Sequence, residues 1–270
     1  MVRKQREPAK CRVCGKIERL TEEHILPRAA GGNKTIKVFT GTEMLKTIKK
    51  DSGEKPYGVI KQSGHTEFTL CKSCNNHSGL VYDKDFADFY NTIAYKIAEL
   101  VQDVKLEDNQ TLDNYLLNQQ ILIELDGVKP MNVAKRVLVA FCSVEFAGLT
   151  DRSPEIRKAI MEKTYTPDTS QFSLYMTPHV GSSSYFATMA SLSGLGTGKI
   201  VTQAFAGIEI GPLAFYFSKR DEHKKGGNLS KCIDVTNWLT DCSYDQKAHV
   251  KIGGKFLNPL MMNFPAPEWK

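Results

Sequence analysis

Two Cys-x-x-Cys pairs, Cys11 with Cys14 and Cys71 with Cys74, constrain this chain of 270 residues more than any other feature. Each pair is a short knuckle that holds two thiols close together. Two knuckles can converge four soft thiolates on one ion in the closed tetrahedral geometry of a structural zinc. The chain has seven cysteines, so a complete disulfide framework would leave one over. Zinc ligation by Cys11, Cys14, Cys71 and Cys74 is therefore expected over disulfides, and Cys142, Cys232 and Cys242 read as small core residues. The 56 residues between the knuckles exceed the spacing of about 15 to 20 in a zinc ribbon, so a sizeable insert is expected inside the clasp.

From Cys11 to Gly79 the apolar runs are short, "IKVF" at 36–39, "YGVI" at 57–60 and "EFTL" at 67–70. Such a region buries little, and a metal staple is physically needed. The texture then changes. Phe86, Phe89, Ile93, Ile97, Leu100 and Val104 recur at steps of three and four, which predicts an amphipathic helix over about 82–104. A second helix is expected at about 132–147, with Asn132 as its N-cap. A third follows Ser153, with Pro154 at the first helical position. Beyond Pro167, "QFSLYMT", "SYFATMASL", "KIVTQAFAGIEI" and "LAFYFS" read as strands separated by Gly, Ser and Pro. The fold class is thus α+β, organised as an N-terminal module at 1–80, a connecting helix at 81–104 and an α+β domain at 105–270. "GLGTGKI" at 194–200 lacks a Ser or Thr after its lysine and reads as a turn between strands. "SKRDEHKKGG" at 218–227 reads as a charged loop.

The hydrophobic content of 41% and charged content of 24% are those of a soluble globular protein. No apolar run approaches the roughly 20 residues that cross a bilayer, and no apolar stretch follows the charged N-terminus. A cytoplasmic protein without a cleaved leader is expected. The net charge of +6 is unevenly placed, because residues 1–80 hold 16 Lys and Arg against 8 Asp and Glu. A polyanion would dock on that half.

Inside the insert lies "LTEEHILPRAAGG" at 20–32, and "CKSCNNHSG" runs on from the second knuckle at 71–79. Closing the clasp would draw together the carboxylate of Glu23, the imidazole of His24 and the amide of Asn75. These are the parts of a hard-cation site with a general base beside it. A Glu-His dipeptide alone means little, and the bracketing knuckles give it weight. His77 is open to three readings: metal, phosphate or solvent, with the last two favoured.

In "CRVCG", "TEEHILPRAAGG" and "LCKSCNNHSG" the chain resembles the HNH endonucleases of the ββα-metal fold, in the branch whose core is held by paired Cys-x-x-Cys knuckles. The resemblance covers roughly residues 11–79. It implies that His24 is the general base that deprotonates the attacking water, and that Glu23 and Asn75 are ligands to a catalytic divalent cation such as Mg2+. It also implies that Asn33 braces the loop around the base. Glu23 stands where the family more often has Asp, and the stretch 34–66 is longer than the compact family core. The activity implied is metal-dependent hydrolysis of phosphodiester bonds in double-stranded DNA, in restriction or anti-phage defence. A zinc-clasped nucleic-acid-binding module without catalysis is the alternative. Target recognition, sensing and homodimerisation are the roles open to residues 105–270.

Overall fold

In the computed structural model the described residues are 7–38, 58–102, 104, 116, 120–144, 148–179, 184–194, 200–225 and 229–255. The first knuckle is a hairpin between β1 (Ala9–Lys10) and β2 (Ile17–Glu18). Its turn closes through Cys11 N–H to Lys16 O at 2.8 Å and Gly15 N–H to Cys11 O at 2.9 Å. Gly15 takes φ +77° there, a left-handed conformation that glycine adopts without steric cost. β3 (Leu20–His24) pairs antiparallel with β6 (Thr66–Cys71). Between them lie a 3-10 element at Arg28–Ala30 and the antiparallel pair of β4 (Ile36–Val38) and β5 (Val59–Lys61). β6 runs directly into α1 (Lys72–Val81), with Cys71 at the N-cap and Cys74 and Asn75 in the first turns.

α2 (Asp83–Val101) follows the predicted span to within three residues at its C-terminal end, and it buries Phe86, Phe89, Tyr90, Ile93 and Ile97. β7 (Gln120–Val128) precedes α3 (Pro130–Val144), α4 (Leu149–Arg152) and α5 (Pro154–Met161). α3 starts two residues before the expected N-cap because Pro130, with its fixed φ, takes the first turn. Asn132 therefore lies inside the helix, and its amide donates to Asp85 Oδ2 at 2.6 Å and Asp245 Oδ1 at 3.2 Å. α5 opens as predicted, on Ser153 and Pro154.

The four expected strands appear as β8 (Phe172–Pro178), β9 (Ser184–Gly194), β10 (Ile200–Ile210) and β11 (Leu213–Lys219). With β12 (Ile233–Asp234) they form one antiparallel sheet in the order β12-β8-β11-β10-β9. Residues 195–199 of the glycine turn lie outside the described residues. β13 (Ala248–Lys255) returns to pair with β7. The alternating exposed and buried residues of β7 are a clear strand pattern, one that the sequence reading leaves unassigned.

The architecture is mixed α+β, as expected. One cluster of buried apolar side chains runs from Cys11 and Val13 in the first knuckle, through α2 and α3, to Ile252 in β13. The first knuckle is also tied to α3–α5 by polar bonds. Arg12 Nη1 donates to Ser143 O at 2.8 Å, Thr150 Oγ1 to Arg12 O at 2.6 Å and Arg157 Nε to Val13 O at 2.9 Å. Among the described residues, no helix is long and apolar enough to cross a membrane.

Candidate active site and metal centre

The two knuckles meet. The sulfurs of Cys11, Cys14, Cys71 and Cys74 all lie within 4.8 Å of one another, and Cys14 Sγ is 3.8 Å from Cys71 Sγ. A tetrahedron with metal–sulfur bonds of about 2.3 Å has edges of about 3.8 Å, so the four thiols fit one metal ion such as zinc. The backbone N–H of Cys71 donates to Cys11 Sγ at 3.3 Å, the kind of outer bond that steadies a thiolate ligand. Cys11, Cys71 and Cys74 are buried, which closes the group to solvent on most sides. None of the seven cysteines forms a disulfide, and Cys142 sits in the core as expected.

The clasp has a mechanical consequence. It fixes the start of α1 against the β1–β2 hairpin, and Asn75, one residue beyond Cys74, is bonded to β3. Its Nδ2 donates to Thr21 Oγ1 at 3.0 Å and to the carbonyl of Glu22 at 2.9 Å. Both hydrogens of the amide are thereby used, which leaves Oδ1 as the atom Asn75 can offer to a ligand.

His24 ends β3 on its accessible side. Its Nδ1 lies 3.2 Å from Gly32 O, and Arg28 Nε donates to its Nε2 at 2.8 Å. A carbonyl only accepts and a guanidinium only donates, so this pair of bonds selects the neutral imidazole with the proton on Nδ1 and the lone pair on Nε2. Burial, and then the Arg28 charge, hold its pKa below the ordinary imidazole value. A neutral ring with its lone pair on Nε2 can act as a general base once the Arg28 bond is exchanged for a water.

The loop that supplies the Gly32 carbonyl is set by glycines. A Cβ on Gly32 would sit 1.7 Å from the carbonyl oxygen of Leu26, and one on Gly64 1.8 Å from that of Gly32. Gly32 and Gly64 therefore pack backbone against backbone where no side chain fits. The contact to the base comes from the Gly32 carbonyl, and Asn33, the residue expected to brace this loop, is exposed beside it.

Glu23 is placed differently from His24. Successive side chains of a strand point to opposite faces, and Glu23 turns inward, only 3% exposed. Ser143 Oγ donates to its Oε2 at 2.7 Å, and Arg136 Nη1 lies 3.8 Å from its Oε1. Burial pushes its pKa up to about 7, against the opposing pull of Arg136 and the Ser143 hydrogen bond. The ion pair and the raised pKa point in opposite directions. Desolvation dominates, because 3.8 Å is too long for a hydrogen bond and neither Oε1 nor Nη1 has a hydrogen-bond partner among the described residues. The Glu23 carboxylate thus serves the interior in this arrangement, and it is not presented to solvent with Asn75 as a ready cation ligand.

The folded state holds a proton on Glu23 up to about pH 7, whereas the unfolded chain releases it near pH 4.3. Stability is therefore lost as pH rises through this window. Glu23→Gln is expected to melt with the wild type near pH 4.5 and above it at pH 8, in thermal melts over a pH series. A lower melting temperature for the variant at pH 8 would show that the carboxylate is a net favourable charge.

His77 takes a structural place, contrary to the favoured solvent or phosphate reading. Its Nε2 is 3.0 Å from Ile160 O, and its ring meets Tyr82 edge-on. The carbonyl is the last turn of α5, so the ring joins α1 to α5. Two further residues belong to the site. Arg28 is signalled in the sequence only by its place four residues after His24, and Arg136 only as a charge on the apolar face of a helix. Comparison of the chain with family models, curated proteins and solved structures gives no match.

Proposed function

We propose that the protein is a metal-dependent endonuclease of the HNH type, hydrolysing phosphodiester bonds in double-stranded DNA. The observation that carries this reading is His24, a neutral imidazole with its lone pair on Nε2 at the end of an antiparallel pair that leads into a thiol-clasped helix. In the proposed reaction His24 Nε2 takes the proton of the attacking water. Arg28, already within 2.8 Å of that nitrogen, turns to the phosphate, for which a guanidinium is a natural partner. Zinc on the four cysteines is structural. A divalent cation such as Mg2+ stabilises charge on the phosphate in this class of reaction. Asn75 Oδ1 is the donor suited to it, and Glu23 would join only by exchanging its bond to Ser143. The exposed Lys16, Arg19, Arg28, Lys34 and Lys72 supply affinity for the phosphate backbone without reading sequence. Restriction or anti-phage defence is the role proposed for such an activity.

The burial of Glu23 favours a second reading, a zinc-clasped nucleic-acid-binding module. Plasmid cleavage with Mg2+ or Mn2+, against EDTA at a level that leaves the zinc bound, separates the two. Cleavage is expected to need the added cation, and Asn75→Ala to raise the Mg2+ concentration required, with binding to DNA retained in both cases. DNA binding without cleavage in any divalent cation would establish the binding module.

A further inference from the structure

α3 is a core helix in which every residue from Pro130 to Ser143 is buried, and two of those residues are cations. A buried charge is costly unless it is paired and hydrogen-bonded. Lys135 satisfies this locally, with Nζ bonded to the carbonyls of Glu162, Lys163 and Tyr165 at 2.8 to 3.0 Å. Arg136, 2% exposed, reaches the other way. Its Nε donates to Asp83 Oδ1 at 2.6 Å, and its Nη2 to the carbonyls of His24 at 2.9 Å and Ile25 at 3.2 Å. Among the described residues, the polar groups within reach of Arg136 besides Asp83 belong to Glu23, His24 and Ile25.

The pairing of β3 explains why this matters. Among the described residues β3 has only β6 as a strand partner, and Ile25 N–H donates to His65 O. In an antiparallel pair the residue next to such a bonded one turns its own N–H and C=O away from the partner strand. The carbonyl of His24 thus lies on the open edge of β3, where Arg136 takes the place of a neighbouring strand.

We propose that Arg136 is a positioning residue for His24, holding the backbone that carries the imidazole, so that the base is set in place by a helix from the second half of the chain. The role as a nuclease rests on the reading above; the positioning does not. A planar guanidinium can serve Asp83 and two carbonyls at once, and an ammonium cannot match that fork.

The test compares Arg136→Lys with Lys135→Met in the full-length zinc protein. Arg136→Lys keeps the charge beside Asp83 and Glu23, and it is expected to fold with its zinc. Its kcat should fall about 10²-fold, the cost of a misplaced catalytic group, with KM for plasmid DNA unchanged within about twofold. The imidazole nitrogen resonances of His24 should move from the Nδ1-protonated pattern toward an average of the two tautomers. Lys135→Met should lower the melting temperature and leave both kcat and those resonances in place. Wild-type kcat and resonances in Arg136→Lys, or equal losses in both variants, would overturn the proposal. Should the wild type cleave no DNA, the nuclease reading fails, and the His24 resonances in Arg136→Lys still decide the role of Arg136.

Discussion

Replacing His24 by Ala is expected to lower DNA cleavage by about 10²–10⁴-fold, the usual contribution of a general base, while zinc content and DNA affinity stay at wild-type levels. The expectation rests on what the ring touches. Among the described residues the ring bonds only the Gly32 carbonyl and the exposed Arg28, so truncation leaves the clasp and the core intact. The backbone of residue 24 remains bonded to Arg136, which keeps the neighbouring strand in place. Single-turnover cleavage of plasmid, run beside metal analysis and a binding titration, makes the measurement. Full activity in the variant would place the base elsewhere. Loss of zinc or of the melt would make the ring structural.

Cys74→Ser is expected to have the second large effect, on folding. The knuckles are where the start of α1 is fixed to β1–β2, and structural zinc in such clasps has an apparent binding free energy of about 10–16 kcal/mol. A serine hydroxyl does not replace a thiolate on a soft site. The variant should carry no zinc, and the amides of β3, β6 and α1 should lose protection in hydrogen exchange. α3 and the β8–β11 sheet, which have their own buried apolar side chains, should keep theirs. A zinc-free variant with β3 and β6 still protected would mean that contacts with α3–α5 suffice to hold the module. That outcome is a real contest, since Arg12, Arg157 and Thr150 already bind the first knuckle to those helices.

Much of this molecule is legible one segment at a time. Thiols separated by two intervening residues, in two pairs, point to a four-sulfur centre, because soft ligands at that spacing converge on one ion. The spacing of Phe86, Phe89, Ile93 and Ile97 predicts the buried face of α2, and Ser153-Pro154 marks the start of α5. Runs of β-branched and aromatic residues mark β8–β11. Each rests on a local period or cap, which the chain carries whatever surrounds it.

Only the tertiary structure decides the rest, and in every instance the deciding partner is remote in sequence. Glu23 and His24 are neighbours read as cation ligand and general base of one site, yet Ser143 and Arg136, more than 110 residues away, hold Glu23 inward. His77 becomes a brace because Ile160 offers it a carbonyl, and Asn132 a core amide because Asp85 and Asp245 flank it. β7 finds its partner in β13, at the far end of the described chain. A residue's type and spacing state what chemistry it can offer. Burial and hydrogen-bond partners decide whether that chemistry faces the interior or solvent, and those are set by which segments pack together.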